Sequence, residues 1–86
     1  MRIFMNDSLI KTADQLKTAL RSLRRSQKLT QEEFGKKVGL SQERISGIEN
    51  HPERMTTDQL LTILMALGVE LVIRRRLSKS TNPGSW

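Results

Sequence analysis

The stretch TQEEFGKKVGLSQERISGIEN, residues 30–50, decides the fold of this 86-residue chain. Thr30 and Ser41 are residue types that cap helix N-termini, and Glu33 completes a capping-box pattern with Thr30. Gly39 ends the first of two helices, because glycine takes the left-handed conformation at little cost. The spacing therefore predicts two short helices joined by a turn of about three to four residues, which sets the second helix across the first.

Two further helices are predicted, one on each side of this pair. Thr12 opens a helix over residues 13–27, in which apolar side chains recur at helical spacing. Thr56 opens a strongly apolar helix that ends at Gly68. Residues 50–55, just ahead of Thr56, contain a proline that stops the preceding helix, so they are predicted to form a loop. The chain is therefore predicted to be mostly α-helical.

After the last helix the sequence pattern changes. The segment VELVIR, residues 69–74, is rich in β-branched residues and roughly alternates, which predicts a β-strand. A single strand with open edges is not stable alone, so it needs a partner. A second copy of the chain across a two-fold axis would supply one; pairing with residues 2–5 of the same chain is the alternative. In the dimer, contacts are expected at Leu67, Val69, Leu71 and Ile73.

These elements divide the chain into four parts. We expect a short leader over residues 1–11, a helical domain over 12–68, a dimerisation strand over 69–77 and a flexible tail over 78–86. The tail is polar and contains a proline and a glycine, which is typical of a segment that is disordered when alone.

Charge and composition narrow the function classes. The chain has 15 Lys+Arg against 9 Asp+Glu, a formal net charge of +6. Residues 1–29 and 74–86 are net positive, whereas residues 30–73 are net negative. Such clustering favours a polyanionic partner such as nucleic acid, although a basic surface also serves solubility. With no cysteine and one histidine, a disulfide scaffold, a thiolate zinc site and a histidine cluster are excluded. We expect no metal, cofactor or small-molecule ligand.

The hydropathy pattern argues against a membrane-spanning protein. The longest apolar run, residues 63–67, is far shorter than the roughly 20 residues that span a bilayer. Nothing in the sequence reads as a secretion signal. We therefore expect a cytoplasmic protein without membrane association.

Residues 30–50 resemble the Xre/Cro-type helix-turn-helix DNA-binding family, and the resemblance extends from about Leu20 to Leu67. It implies a compact domain of four to five helices, to which the predicted C-terminal strand adds pairing across a homodimer. Within the family, that strand, the loop after Asn50 and the tail ending in Trp86 are similar to the HipB-like antitoxins of HipA-type kinase toxins.

The resemblance also implies site residues. The base-reading positions are at the start of the third helix: Ser41, Gln42, Glu43, Arg44, Ser46 and Gly47. Gln42 has the amide that suits adenine, whereas Gly47 either permits close backbone approach or reads nothing. Asn50 and Arg54 are implied as phosphate contacts. Gln31 is a further phosphate candidate because it lies at a helix N-terminus, and Lys28 adds general attraction or only solubility. Arg24 and Glu49 are implied to form an ion pair that joins the first helix to the third.

The function that follows is binding rather than catalysis. The resemblance implies a dimeric repressor of a palindromic double-stranded DNA operator, which also serves as the antitoxin of a HipA-like toxin and regulates its own operon. Trp86 is the expected toxin contact, or else a terminus without a role. A plain Xre-type regulator without a toxin is the alternative. A single-stranded nucleic-acid binder is disfavoured because aromatic residues are few, and an enzyme because no nucleophile–base pair is visible.

Overall fold

The computed structural model describes residues 8–76. In this part of the chain, four α-helices and one 3₁₀ helix follow one another: α1 Ala13–Ser26, α2 Gln31–Val38, α3 Gln42–Asn50, the 3₁₀ helix Pro52–Arg54 and α4 Thr57–Ala66. The first seven residues of the leader and residues 77–86 lie outside the described residues, and so does the toxin contact predicted at Trp86. The fold is mostly helical, as the sequence predicts.

Each α-helix begins at a hydroxyl side chain that caps it. Thr12, Thr30 and Thr56 each accept a hydrogen bond from the backbone N–H three residues on, and the side chain of that residue bonds back to the cap. Ser41 accepts from the N–H of Arg44. Each such cap satisfies amide groups that a helix leaves unpaired, and replacing one by alanine costs about 1 kcal/mol.

The core lies where the helices meet. Its buried apolar side chains come from α1, α2, α3, α4 and the residue after α4: Leu20, Phe34, Ile45, Ile48, Ile63, Leu64 and Leu67. Ile45 of α3 is completely buried. Because α3 packs against both α1 and α2, its inner face is held from two sides. Its outer face is left for other contacts.

Helices α1 and α4 end in the same way, but with different residues in the left-handed position. After α1, Lys28 has φ 59°, and the N–H of Leu29 donates to the carbonyl of Arg24 at 3.3 Å. After α4, Gly68 has φ 77°, and the N–H of Val69 returns to the helix in the same pattern at 3.0 Å. Glycine suits this conformation, whereas an L side chain there costs roughly 1–2 kcal/mol.

Two sequence predictions differ from the structure. The predicted loop over residues 50–55 contains the 3₁₀ helix Pro52–Arg54, in which the buried proline occupies a first-turn position where its missing N–H is harmless. The strand predicted over residues 69–74 is not confirmed: residues 69–76 of the single chain have no regular secondary structure. A strand needs a hydrogen-bonding partner, and none is present among residues 8–76 of the single chain.

Candidate nucleic-acid interface

Helix α3 has a buried inner side and an open outer side. Ile45, Ile48 and Glu49 are buried, and Glu49 contacts Arg24 of α1 and Gln31 of α2. The positions predicted to read bases are exposed, apart from the half-buried Ser46. The structure therefore places the predicted reading positions on the side of α3 that faces away from the core.

The turn into α3 is tight, and two glycines explain why. Gly39 has φ 75° and ends α2 in the left-handed conformation. Gly35 is buried beneath the turn, and it accepts a hydrogen bond from the N–H of Leu40 at 2.8 Å. A Cβ on Gly35 would overlap the carbonyl oxygen of Leu40. The absence of a side chain there lets the turn close over α2 and sets the position of the α3 N-terminus.

A buried ion pair joins α1 to α3. Arg24 Nε donates to Glu49 Oε2 at 2.6 Å, and Arg24 Nη2 donates to Glu49 Oε1 at 3.1 Å. Arg24 is 7% exposed and Glu49 is 3% exposed. The third arm of the guanidinium, Nη1, donates to the carbonyl of Leu29 at 2.8 Å. This two-bond geometry is a strong form of charge-assisted hydrogen bonding, and removal of either partner would leave a buried charge unpaired.

The surroundings keep Glu49 ionised. Burial by itself raises the pKa of its carboxyl group. Hydrogen bonds from Arg24 and Gln31 oppose burial, and the positive charges of two arginines add to them. The net result is that the pKa of Glu49 lies below its ordinary value of 4.5. The carboxylate can therefore only accept hydrogen bonds at neutral pH.

A chain of two glutamines leads from this carboxylate to the outer face. Gln31 Nε2 donates to Glu49 Oε1 at 3.2 Å. Gln42 Nε2 donates in turn to Gln31 Oε1 at 3.0 Å. Gln31 begins α2 and Gln42 begins α3, so the link joins the first turns of the two helices. Sequence reasoning assigned these residues separately, to a phosphate and to a base.

Arg21 orders the other end of α3, which sequence reasoning did not foresee. Its Nη2 donates to Asn50 Oδ1 at 3.1 Å, and its Nε lies 3.6 Å from Glu49 Oε1. Asn50 Nδ2 faces Ser46 Oγ at 3.5 Å. Because Arg21 occupies the amide oxygen, the Asn50 NH₂ group is left as a donor. The only sequence signal was that Arg21 lies three residues before Arg24, on the same face of α1.

Arg44 and Arg54 line one open cleft of about 150 Å³ beside α3. Gly47 also lines the cleft, and a Cβ on Gly47 would have no heavy atom within 4 Å. His51 also lines the cleft, and its Nδ1 lies 3.3 Å from the carboxylate of Glu53. The cleft thus combines two positive side chains with free space at the backbone of the helix.

Two predicted contact residues lie apart from these groups. Lys28 is exposed in the turn between α1 and α2, where it takes a positive φ. Glu43 is exposed in the first turn of α3. In the described part of the chain neither residue has a side-chain hydrogen bond or an ion pair to Gln31, Gln42 or Glu49.

The four residues predicted to form dimer contacts differ in how deeply they are buried in the single chain. Leu67 is buried in the core, and Val69 is half-buried beside it. Leu71 is more than half exposed, and Ile73 is 95% exposed. The apolar surface therefore increases along the segment, away from the helices.

Within residues 8–76 we find no cluster of three or more residues suited to hold a metal ion. In the same part of the chain, no helix has the length and apolar character needed to cross a membrane.

Comparison with known families agrees with this geometry. A helix-turn-helix family profile matches residues 20–73, which cover all of α2, α3 and α4. The match includes more than half of the chain. The chain therefore belongs to the helix-turn-helix family of DNA-binding regulators.

Within that family the chain is similar to antitoxin HipB of Escherichia coli strain K12. The two are 32% identical over 69 residues, which are 80% of this chain and 78% of HipB. Solved structures agree: a HipB–O1–O2 complex matches with a TM-score of 0.72 and 30% identity, over 80% of this chain and 100% of that one. A HipA–HipB–O2–O3 complex matches equally well, with a TM-score of 0.72 and 30% identity over 80% of this chain and 97% of that one.

Proposed function

We propose that this protein is a sequence-specific repressor of double-stranded DNA that acts as the antitoxin of a HipA-like toxin and regulates its own operon. The observation that carries the proposal is the outer face of α3, where a reading residue, Gln42, is tied through Gln31 to the buried Glu49. A side chain that is ordered before binding loses less entropy when it contacts a base. The likeness to solved HipB complexes supports the proposed function as a whole.

Gln42, Glu43 and Arg44 are proposed to meet base edges in the major groove, together with Ser41, Ser46 and Gly47. Their chemistry is complementary to that groove. A glutamine amide pairs with adenine, a carboxylate accepts from the cytosine amino group, and an arginine grips guanine or a phosphate. The open space at Gly47 allows the DNA to approach the helix backbone.

The phosphate contacts are proposed to flank this face. Asn50 can offer a phosphate one N–H of its NH₂ group, because Arg21 occupies its oxygen and Ser46 Oγ accepts from the other N–H. Arg54 lines the same cleft as Arg44, and Lys28 contributes a positive charge at the turn before α2. Gln31 lies at the N-terminus of α2, where backbone N–H groups attract anions. Such contacts set register and orientation on the duplex rather than sequence preference.

The homodimer is proposed to form through the segment after α4. The exposed side chains of Leu71 and Ile73 would be covered if residues 69–77 paired with the same residues of a second copy. Two-fold pairing would present two α3 helices to a palindromic site, about 34 Å apart. Leu67 and Val69 connect this interface to the core of each protomer.

The toxin partnership rests on the likeness to HipB, one of whose solved structures contains HipA. We propose a HipA-like kinase as the partner and Trp86 as one contact. A variant that lacks residues 85–86 should bind the toxin more weakly and bind DNA unchanged. Equal toxin affinity for both forms would refute the role of Trp86. In the cell, the protein is proposed to be cytoplasmic and associated with DNA.

Fluorescence anisotropy tests the DNA function. The duplex upstream of the gene should bind at least about a thousandfold more tightly than a scrambled duplex, and the preference should persist when the salt concentration is raised. Arg44→Ala should weaken specific binding far more than Arg25→Ala does, although both remove one exposed positive charge. If both duplexes bind equally well and both complexes dissociate when the salt concentration is raised, the protein has only a nonspecific attraction to DNA.

The second candidate is a regulator of the same family without a toxin. It is favoured if no kinase-like protein is encoded next to this gene and if no such protein is retained by the full chain. The DNA experiment has the same outcome for both candidates. Co-purification with the neighbouring gene product therefore decides between them.

A further inference from the structure

The segment after α4 has a charge pattern that the proposed function does not use. Glu70 is the only acidic residue after α4, and a run of three arginines begins at Arg74. Glu70 and Arg74 are both exposed, and neither takes part in an ion pair within residues 8–76 of the single chain. The three residues between them, 71–73, are all apolar. Two opposite charges therefore flank a short apolar run.

In a strand these two charges are too far apart to pair with each other. A strand rises about 3.3 Å per residue, so the Cα atoms of Glu70 and Arg74 would lie about 13 Å apart. Side chains alternate between the two faces, so Glu70, Val72 and Arg74 share one face and Val69 lies on the other. Val69 packs against the core. The face with the two charges is therefore turned away from the helices, where a second strand can reach it.

A second copy of the chain would present the same pattern in reverse order. Directly opposite residues of an antiparallel pair share a face, so a two-fold axis passes through one residue of each strand. With the axis at Val72, Glu70 lies opposite Arg74 of the second copy, and the same contact repeats on the other side of the axis. Leu71 then lies opposite Ile73 of the second copy. Each charge meets its opposite, and each apolar residue of the run meets another apolar residue.

Moving the axis to a neighbouring residue breaks this match. An axis at Leu71 places Glu70 opposite Val72. An axis at Ile73 places Val72 opposite Arg74. Opposite charges and apolar side chains that face their own kind stabilise a strand pair, and such patterns determine its register. The axis at Val72 is therefore the register that charge and hydropathy favour together.

We propose that the segment after α4 is a self-complementary docking surface for a second copy of this chain, in which Glu70 of each copy binds Arg74 of the other about a two-fold axis at Val72. This inference rests on the homodimer of the proposed function, and it adds the register of the pairing. It also adds a source of partner choice, because a similar chain without this charge pair would leave Glu70 and Arg74 without their contacts.

Exchange of the two charges between copies tests the pairing. The homodimers of Glu70→Arg and of Arg74→Glu each contain two like-charge contacts. Their dissociation constants should rise by roughly 2- to 30-fold, the range for two cross-strand charge pairs. An equal mixture of the two variants restores both contacts, so native mass spectrometry should show more heterodimer than random exchange gives. Arg76→Glu is the matched control for Arg74→Glu, because it changes the net charge equally on the same face but lies opposite Gly68.

Cross-linking measures the register directly. The chain has no cysteine, so one introduced cysteine reports only on its own symmetry mate. Val72→Cys should form a disulfide-linked dimer under mild oxidation, since opposite Cα atoms lie about 4.5–5.5 Å apart, within the reach of a disulfide. In Glu70→Cys the two cysteines would be about 13 Å apart, beyond that reach, so this variant is the matched control. All the substituted positions are exposed, and far-UV circular dichroism checks that each variant folds.

Sedimentation velocity of the wild type separates this inference from the proposed function. A wild-type dimer whose variants give no excess of heterodimer, or in which Glu70→Cys cross-links as readily as Val72→Cys, would overturn the register and leave the homodimer standing. Preferential pairing of Glu70→Arg with Arg76→Glu would overturn it too, since the axis would then be at Ile73. A wild type that is monomeric at micromolar concentration would overturn both the register and the homodimer.

Discussion

Two regions of the molecule differ in how completely a single chain supplies their contacts. One is the polar network that Glu49 forms with Arg24 and Gln31, and the other is the segment over residues 69–76. Glu49 is 3% exposed and accepts hydrogen bonds from two side chains. The segment has no regular structure, and Ile73 is 95% exposed. The network is therefore complete within one protomer, whereas the segment has apolar surface that a second molecule would cover. The outer side of α3 is thus assembled within the single chain, whereas its proposed duplication on a palindromic operator depends on dimer assembly.

The largest expected effect comes from breaking the network. Glu49→Ala removes the acceptor and leaves Arg24 buried with an unpaired charge. We expect the free energy of unfolding to fall by about 3–5 kcal/mol, the usual cost of removing one partner of a buried pair. Urea denaturation followed by circular dichroism measures it. A loss below about 1 kcal/mol, typical of an exposed ion pair, would show that the network is not a structural unit.

Acidification provides a control for the same effect. Because the pKa of Glu49 is lower in the folded protein than its ordinary value of 4.5, its carboxylate contributes stability above that value and loses it as the pH falls through the folded pKa. The wild type should therefore lose stability below about pH 4.5. Glu49→Gln should start less stable and show a flatter decline over the same range. Parallel pH curves for both proteins would contradict this assignment.

The tight turn that presents α3 is the next point to test. Gly35→Ala should lower the free energy of unfolding by about 1–3 kcal/mol, because the added Cβ overlaps the Leu40 carbonyl. Gly47→Ala is the matched control, since it adds the same methyl group where no atom lies within 4 Å. It should raise stability by up to about 1 kcal/mol. Thermal melting of both variants measures the two changes, and effects of equal sign would refute this account.

The proposed pairing of the segment over residues 69–76 is tested by measuring the oligomeric state. In the proposed pairing, Leu71 lies on the face that the second copy covers, and Val72 lies on the opposite face. Leu71→Asp should raise the dimer dissociation constant by at least about tenfold, or ~1.4 kcal/mol, and Val72→Asp should raise it less. Sedimentation velocity over a concentration series measures both. A wild type that is monomeric at micromolar concentration would remove the dimer from the proposal.

The smallest expected effect on stability concerns the C-terminal ends of α1 and α4. Lys28→Gly should raise the free energy of unfolding by up to about 1 kcal/mol, because glycine takes the positive φ at less cost. Gly68→Ala should lower it by a similar amount for the same reason. If Lys28 also contacts a phosphate, Lys28→Gly will stabilise the protein and weaken DNA binding at low salt. Calorimetry and anisotropy on the same variant separate the two roles.

The helices and their ends were predictable from the sequence because their signals are local. A capping threonine acts within four residues, and a helix-ending glycine within its own turn. The family could be inferred from residues 30–50 for the same reason, since two capped helices and a tight turn occupy one short stretch. The base-reading positions at the start of α3 followed from the resemblance that these residues carry.

Only the tertiary structure decided how the polar side chains are connected. Arg21 meets Asn50 across 29 positions of sequence, and Gln31 meets Glu49 across 18. No local pattern encodes such pairs, because their partners are brought together by the packing of α1, α2 and α3. The segment after α4 shows the converse. Its β-branched pattern is plain in the sequence, but a strand requires hydrogen bonds from a neighbour, which residues 8–76 of a single chain do not supply.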